Sequence, residues 1–560
     1  MRQRKTLIAI IILLVIGMWG SRALFKNGFY TSHDGWHQVA RLYHFDQLIK
    51  VGQIPPRHSF DLLFGNGYPL FIFSYHAPWI LAEPLLLAGV SIFDAIKWVF
   101  IIVFTMSAVT MFLWQRKLWG DLGGFVAGIF YIWAPYRFST TLVRAALGEA
   151  TSFVFIPLLF YSLHRLSTNS KSKFPIIIGA IGLAGFVLSH SMVVFLLGTL
   201  VFSYLGFLIY TCGNRIAYIK NIVAMFVLGS LLSAYYVIPA FVYQPITVFK
   251  DVQRMFFQQQ FLSLKDLLYS SWGYAASFTG VGQMSLQLGI GQWLSVFISM
   301  NIFIYIFFSH RKELLKRQVQ LALIFFANFI LLAFMTTPYS KGVWEGLRNY
   351  IPIDFPWRLL SILTLLSATL SGFIVGYTSG RIKKITLFVL LFVCFYTTRN
   401  YQRVNQYTQV PLSLYIASER TTNTFDEYLP RWARISEVTK ENRIPYETDS
   451  SVVITHLQQN AREVSLKALS SGSASFILKN IYFPGMKLFI NNRATLFSYK
   501  ENGYINFKIP PGESEIELKM LQTSPEILGN MLTLLGIILL LIILIRESMK
   551  IKLSHFKKSL

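Results

Sequence analysis

Long apolar runs alternate with short basic loops along most of the chain, and this pattern predicts a polytopic membrane protein. An α-helix needs about 20 mainly apolar residues to cross the ~30 Å hydrocarbon core of a bilayer. Runs of that kind recur along the first 398 residues and return near the C-terminus. We predict twelve crossings, near residues 6–25, 96–114, 120–137, 148–165, 174–189, 191–211, 221–243, 286–308, 318–336, 358–378, 383–398 and 526–546.

The composition agrees with this prediction and excludes a soluble globular protein. Of 560 residues, 54% are hydrophobic and only 14% are charged, which is more apolar surface than a soluble core can bury. The net charge of +25 indicates membrane orientation and contact with lipid phosphates rather than nucleic-acid binding. Cys212 and Cys394 are too far apart for metal-ligand spacing and too few for a disulfide framework.

The basic loops determine the predicted orientation. All of them can face the cytoplasm only if the apolar stretch from Pro69 to Leu87 does not cross the membrane. That stretch contains three prolines together with His76 and Glu83, which favours a broken re-entrant or interfacial segment. We therefore predict a multi-pass protein of the cytoplasmic membrane with both termini inside and a retained first span.

A polar, strand-rich region interrupts the apolar pattern before the last span. Residues 399–525 contain short alternating stretches separated by Pro-Gly, Asn-Asn and Pro-Pro-Gly turns, which predict a small antiparallel β-sandwich. The predicted domains are a membrane domain (1–398, with outer loops 26–95 and 244–285), an extracytoplasmic β-rich domain (399–525), and a last span with a basic cytoplasmic tail (526–560).

The first outer loop contains the chemistry-bearing stretch His33-Asp34-Gly35-Trp36-His37. It resembles the zinc-protease pattern HExxH, in which two histidines lie one helical turn apart. Asp34, however, is a natural N-cap of a helix that runs to about Val51, which would place His33 before that helix. We therefore reject zinc hydrolysis and predict an amphipathic helix at the membrane interface that begins at Asp34.

Several motifs together resemble two related groups of membrane proteins. The first span, an early acidic residue and the Gly-Tyr-Pro entry to a re-entrant segment are similar to the GT-C class of polyprenyl-phosphate-sugar-dependent glycosyltransferases. More closely, the chain resembles a prokaryotic family of 6-pyruvoyl-tetrahydropterin-synthase-related membrane proteins, a label with no chemical meaning here. The motifs are HDGWHQVARLYHFDQLIKVGQIPPR (33–57), GNGYPLFIFSYHAPW (65–79), RAALGEA (144–150), LSHSM (188–192), DFPWRLL (354–360) and EYLPRW (427–432).

The resemblance implies a GT-C-like fold and two catalytic carboxylates. Asp34 matches the acidic residue of the first outer loop, and Glu149 lies where the class often has a second acid. The alternatives are a helix cap for Asp34 and a helix-dipole contact for Glu149. For substrate contacts, by position on the outer side and by charge, we predict His33, His37, Arg41, Arg57, His76, Arg144, His190 and Arg358.

Some of these substrate-binding predictions have simpler alternatives. The alternative for Arg358 is that its side chain extends to the lipid headgroups or forms an ion pair with Asp354. For His190, the alternative is a histidine whose hydrogen bonds are satisfied within a hairpin. Arg348 and Glu427 are predicted to lie on the outer face as well, without an assigned role.

The predicted function is transfer of a sugar from a polyprenyl-phosphate donor to an acceptor outside the cytoplasm, with inversion and with Asp34 as base or metal carboxylate. The alternatives are a transporter or flippase of lipid-linked saccharide and a degenerate GT-C-like scaffold. A transporter predicts internal repeats and charges in mid-span, which the sequence does not show. The resemblance leaves the cofactor open between none and a divalent cation, Mg or Mn; the predicted partners are the lipid-linked donor and membrane lipid, without nucleic acid.

Overall fold

The computed structural model describes residues 2–190, 195–249, 251, 258, 260–276, 282–347, 355–416, 427–433 and 444–559. Arg348 and Asp354 lie outside the described residues. The helices of ten or more residues within the described part are α1 Arg2–Gly20, α2 Gly35–Lys50, α3 Ala77–Leu87, α4 Ile92–Ile132, α5 Leu147–Thr168, α6 Phe174–Ser189, α7 Gly198–Thr211, α8 Arg215–Tyr243, α9 Ile290–Ser309, α10 Arg317–Met335, α11 Leu360–Tyr377, α12 Gly380–Thr398 and α13 Ser524–Ser559.

These helices confirm the predicted polytopic architecture. Within the described residues, eight helices are long and apolar enough to cross a membrane. The predicted spans 96–114 and 120–137 both fall largely within α4, which is broken at Gly120, where φ is 80°. A Cβ on Gly124 would lie 2.6 Å from the backbone nitrogen of Arg116, so the two halves of α4 pack closely as an antiparallel hairpin.

The proline-rich stretch from Pro69 to Leu87, within loop 26–95, is broken, as predicted. It forms a four-residue helix, Leu70–Phe73, and then α3, which begins at Ala77. Eleven residues of helix are about 16 Å long, which is too short to cross a bilayer. Of the three residues between the two helices, Ser74 and His76 are buried within the protein.

Helix α2 has the predicted bounds, but several of its polar side chains are buried. It begins after Asp34 and ends at Lys50. Val39, Leu42, Phe45 and Leu48 are fully buried, and the polar side chains of Gln38, Arg41, His44 and Asp46 are buried with them. The protein thus encloses the polar side chains of Gln38 and Arg41, whereas Trp36, Tyr43 and Lys50 stay exposed or half-buried on one face. A position of this face at the headgroups stays a prediction.

The strands from residue 446 to residue 520 form the predicted antiparallel sandwich. The strands are β3 Tyr446–Thr448, β4 Val452–Gln459, β5 Glu463–Ser470, β6 Ala474–Ile481, β7 Met486–Ile490, β8 Arg493–Thr495, β9 Tyr504–Ile509 and β10 Gly512–Met520. The larger sheet has the strand order β4-β5-β10-β7-β8, and the smaller has β3-β6-β9.

The sandwich core extends to the membrane helices. Phe60 of the outer loop, Ile72 of the broken segment and Tyr243 at the end of α8 belong to the same buried cluster as the inner faces of the sheets. A further two-stranded pair, β1 Phe29–Tyr30 with β2 Tyr407–Thr408, joins the first outer loop to the chain after α12. The first outer loop is thus held from two directions.

Candidate functional site

Backbone hydrogen bonds hold the start of α2 against the segment before α5. The amide of Asp34 donates to the carbonyl of Arg144 at 2.8 Å, and the amide of His33 donates to Val143 at 3.1 Å. Gln38 Nε2 donates to the carbonyl of Ala145 at 3.0 Å. Asp34 occupies the N-cap position, but its carboxylate makes no capping hydrogen bond. The half-exposed carboxylate is therefore not committed to the cap role that the sequence left open.

The segment opposite Asp34 has an unusual backbone. Ser139–Val143 forms one turn of π-helix, and Ala145 follows with φ of 53°. A non-glycine residue in this left-handed region is strained by about 1–3 kcal/mol, and such strain concentrates at functional sites. The turn allows the side chain of Arg144 to reach back over the first turn of α5.

The first turn of α5 holds a buried ion pair. Arg144 Nη1 donates to Glu149 Oε2 at 2.8 Å, and the Tyr136 hydroxyl donates to Glu149 Oε1 at 2.5 Å. The Glu149 side chain is 0% exposed and that of Arg144 is 7% exposed. Burial by itself lowers the pKa of Arg144, but the carboxylates of Glu149 and Asp34 outweigh burial and raise the pKa above its ordinary value.

A second arginine shares an aromatic surface with the first. The guanidinium carbon of Arg144 lies 4.6 Å from the ring centre of Trp357, and that of Arg358 lies 5.8 Å from the same ring. Trp357 is buried, and its Nε1 donates to Gln260 Oε1 at 3.0 Å. Because cations bind the faces of indole rings, Trp357 orients two positive groups beside one carboxylate, Glu149.

His190 lies at the edge of the same group of charges. Burial and, to a smaller extent, the positive charge of the neighbouring Arg358 lower the pKa of His190 to about 3. The imidazole is therefore neutral at pH 7 and adds a hydrogen-bonding group rather than a charge.

Tyr75 of the broken segment closes the group on the other side. Its hydroxyl donates to Gln38 Oε1 at 2.8 Å. Burial raises the pKa of Tyr75, while Arg41 and Gln38, which hydrogen-bond to the hydroxyl, act in the opposite direction. The ring packs on Gly148, where a Cβ would lie 2.7 Å from Tyr75 Cδ1 and 2.5 Å from the carbonyl oxygen of Ser189.

The tertiary structure thus brings together six of the ten residues proposed from the sequence. They are Asp34, Glu149, Arg41, Arg144, His190 and Arg358. We call this group, with Tyr75, Tyr136 and Trp357, the arginine–carboxylate cluster.

The four other proposed residues have different surroundings. Arg57 donates to Asn530 Oδ1 at 2.7 Å and lies 3.6 Å from Glu526 of α13, so it attaches the outer loop to the last helix. His76 Nε2 bonds to the carbonyl of Phe71 at 2.6 Å and its Nδ1 to the Tyr235 hydroxyl. His33 Nε2 bonds to the carbonyl of Tyr274 at 3.0 Å, and His37 is half-buried one turn along α2 from Asp34.

Sequence reasoning missed the three aromatic members of the cluster. Tyr136, Tyr75 and Trp357 stand in apolar stretches, where an aromatic residue is expected to fill space. The sequence offers one indication of their role, because Tyr75 and Trp357 directly precede the proposed site residues His76 and Arg358 in the motifs quoted above. Adjacency in sequence does not reveal that Tyr75, rather than His76, reaches Gln38 and Arg41.

The donor set of the cluster does not fit a divalent cation. Both oxygens of Glu149 accept hydrogen bonds from neighbouring side chains. Within the described residues, no group of three or more His, Cys, Asp or Glu side chains is placed to hold a metal ion. We therefore derive no step through a metal.

Comparison with known proteins finds similarity at the level of solved structures. No protein-family model matches the chain, and no curated protein matches it. The archaeal oligosaccharyltransferase AglB from Archaeoglobus fulgidus, in complex with an inhibitory peptide and a dolichol-phosphate, is similar at 11% identity, with 73% of this chain and 57% of that chain covered and a TM-score of 0.48.

Further solved structures are similar to a comparable degree. The apo form of the Archaeoglobus fulgidus oligosaccharyltransferase gives 12% identity, 71% and 55% coverage and a TM-score of 0.46. ArnT from Cupriavidus metallidurans, bound to undecaprenyl phosphate, gives 12% identity, 74% and 68% coverage and a TM-score of 0.41. This chain spans just over half the length of the oligosaccharyltransferase.

Proposed function

We propose that this protein is a GT-C-type membrane glycosyltransferase that moves a sugar from a polyprenyl-phosphate donor to an acceptor on the extracytoplasmic face. The observation that supports it is the half-exposed Asp34 carboxylate, held by its own backbone beside the buried Arg144–Glu149 pair. The motifs that resemble the GT-C class and the 6-pyruvoyl-tetrahydropterin-synthase-related family contain these same residues. Membership of that family stays a prediction, as do the orientation and the domain boundaries at 398/399 and 525/526.

In the proposed reaction, Asp34 is the general base. The acceptor hydroxyl or amide transfers its proton to the Asp34 carboxylate while its heavy atom bonds to the anomeric carbon. The bond from that carbon to the phosphate oxygen breaks, and its electron pair leaves with the lipid phosphate. Attack opposite to the leaving group inverts the anomeric carbon.

The arginines serve the leaving group in this proposal. Negative charge that develops on the phosphate is stabilised by fixed cations in a site with little water. Arg358 and Arg144 both lie against the indole ring of Trp357, which reduces the cost of orienting them. Glu149, whose oxygens are both engaged, positions Arg144 rather than accepting a proton.

Direct measurement of transfer tests the proposal. Wild-type protein, Asp34→Asn and the control Asp46→Asn would be purified in lipid nanodiscs and given a panel of radiolabelled polyprenyl-phosphate sugars, with and without chelator. Asp46 is on the same helix, 2.6 Å from Lys50, so its replacement controls for a change in the charge of α2. The readout is label released from the lipid by hydrolysis or transfer.

We expect Asp34→Asn to lower release by about 10²- to 10⁴-fold, the usual contribution of a positioned base, and Asp46→Asn to retain it. Release that persists in the chelator would identify a metal-independent reaction. Failure of every donor with well-folded wild-type protein would overturn the proposal and favour a transporter or scaffold. Equal release by wild type and Asp34→Asn would remove Asp34 from the mechanism.

A further inference from the structure

The sandwich rests close to the ends of two membrane helices. Strand β10 ends at Met520 and α13 begins at Ser524, only four residues later. The hydroxyl of Tyr243, the last residue of α8, donates to Thr523 Oγ1 at 2.6 Å, so α8 ends and α13 begins at the same level. The amide of Leu521 donates to the carbonyl of Gly485 at 2.9 Å, which places the start of β7 at this level too.

At the edge of the larger sheet, the chain returns to the end of the sheet that lies nearest the ends of α8 and α13. Strand β7 runs away from the helix ends, and β8 returns antiparallel to it, with Ile490 paired with Arg493 and Leu488 with Thr495. One further residue along the same register places Leu496 opposite Lys487. Lys487 in turn pairs with Lys519, next to the last residue of β10. Leu496 therefore lies at the end of the sheet nearest the membrane helices.

The edge segment from Leu496 to Lys500 has two different faces. Phe497 and Tyr499 are half-buried and pack on the ring of Tyr482, at centre-to-centre distances of 5.6 and 3.9 Å. Leu496, Ser498 and Lys500 alternate with them and are exposed, and Leu496 is 95% exposed. The outward face thus combines an apolar side chain, a small hydroxyl side chain and a cation.

A second cation lies at the same level. Lys487, opposite Leu496, is exposed as well. Among the described residues, neither Lys487 nor Lys500 forms an ion pair, so both ammonium groups are directed to the surroundings. An apolar side chain flanked by lysines matches the boundary between acyl chains and anionic headgroups.

We propose that this edge segment, Leu496–Lys500 together with Lys487, contacts the bilayer surface and anchors the sandwich beside the two membrane helices. Leu496 inserts at the headgroup boundary, and the two lysines bind lipid phosphates. We assign lipid to this surface for two reasons. The surface lies at the same height as the helix ends of α8 and α13 that adjoin the sandwich, and its positive charge complements anionic headgroups. This anchor is independent of the proposed enzymatic activity.

The opposite end of the same sheet offers a matched control. Val453 and Leu469 are also exposed apolar residues, at 59% and 51%, and they pair with each other. Leu469 pairs with Glu513, seven residues before Met520 on β10, which is about 23 Å along the strand. Val453 therefore has comparable chemistry at the end of the sheet away from the helix ends.

Fluorescence quenching by lipid tests the anchor. In a background with Cys212→Ala and Cys394→Ala, both buried thiols being removed, Leu496→Cys and Val453→Cys would each be labelled with an NBD fluorophore. The full-length proteins would be reconstituted, one copy per disc, in phosphatidylcholine nanodiscs with or without phosphatidylglycerol. Quenching would be measured with headgroup-region doxyl lipids and with aqueous iodide.

We expect the label at 496 to be quenched by doxyl lipid and shielded from iodide, and the label at 453 to show the reverse. Lys500→Glu should lower the lipid quenching at 496 about fivefold in phosphatidylglycerol discs, with a smaller loss in neutral discs. Equal iodide quenching at both positions would overturn the proposal. So would protection of the 496 label from both quenchers, which would indicate a protein contact instead.

Discussion

Arg144 and Glu149 form an ion pair of 2.8 Å in which the carboxylate is fully buried and the guanidinium nearly so. The two charges stand five residues apart on either side of a strained turn, and the Tyr136 hydroxyl satisfies the second carboxylate oxygen. Such a pair contributes little net stability against an apolar replacement, but each partner depends on the other. Removal of one partner should therefore cost much more stability than replacement of both, which gives a direct test of the pair.

Breaking the pair from one side should destabilise the protein strongly. We expect Arg144→Leu and Glu149→Leu each to lower the free energy of unfolding by about 3–5 kcal/mol, because each leaves one buried charge without its partner. The double variant should lose much less than the sum of the two. Thermal unfolding in detergent measures all three, and additive losses would show that the two residues act separately.

Loss of the indole face should affect donor binding if the arginines bind phosphate. Trp357→Leu removes a cation–π contact with each of two arginines, worth about 0.5–2 kcal/mol apiece. We expect the KM for the lipid-linked donor to rise about tenfold or more with a smaller change in kcat. Trp357→Phe keeps an aromatic face but loses the bond to Gln260, so it should resemble Gln260→Leu. Equal effects of Trp357→Leu and Trp357→Phe would contradict the role of the ring.

The contact between Tyr75 and Gly148 should not tolerate a methyl group. Gly148→Ala would place a Cβ within 2.7 Å of the Tyr75 ring and of the Ser189 carbonyl oxygen, so the broken segment or α6 must move. Overpacking of this kind costs about 1–3 kcal/mol, and the displaced Tyr75 should reduce transfer activity. Gly206→Ala in α7 is the matched control, since a Cβ there meets nothing within 4 Å. A stable, active Gly148→Ala variant would show that the site is looser than the packing implies.

His58 should make the protein less stable in mild acid. Its ring is 1% exposed, lies against Phe60 and Phe483, and neither ring nitrogen has a hydrogen-bond partner among the described residues. Burial lowers the pKa of His58 to about 3. The unfolded chain, with an imidazole pKa of about 6.5, therefore binds more protons than the native protein between pH 6.5 and pH 3.

This difference in proton binding lowers the free energy of unfolding as the pH falls below 6.5, by up to about 1.4 kcal/mol per pH unit. We expect His58→Phe to be tolerated and to lose about 2 kcal/mol less than wild type between pH 7 and pH 5. Unfolding of both proteins at the two pH values measures the difference. Replacement of His456, which is exposed on β4, serves as the control. A parallel pH response of His58→Phe and wild type would exclude His58 as the cause.

Much of the architecture could be predicted because it depends on local patterns. Helix bounds such as Gly35–Lys50 follow from a capping residue and an apolar repeat, and the interruption before Ala77 follows from prolines. The turns of the sandwich follow from glycine, proline and asparagine pairs. Strand β4 is hard to recognise within the predicted β-rich region, since most of its side chains are exposed and the alternation there is weak.

The residues that form the site were harder to predict from the sequence than the fold. His76 and Tyr75 are neighbours in one motif, yet His76 bonds to Phe71 and Tyr235 while Tyr75 reaches Gln38. Arg57 follows Pro55-Pro56 in the first outer loop but reaches Asn530 near the other end of the chain. A sequence shows which residue types are present, whereas the direction of a side chain in an irregular segment depends on the packing of distant helices.

The sequence by itself determined that this chain crosses a membrane many times, that a β-sandwich precedes its last helix, and that Asp34 begins a helix after the first span. These features depend on hydrophobic length, periodicity and capping, which are properties of neighbouring residues. Only the tertiary structure decided that Asp34 lies beside Arg144, and that Trp357 orients two arginines. The contacts of Arg144 with Asp34 and with Trp357 join residues more than a hundred positions apart. Buried polar groups select such partners only when the helices have packed.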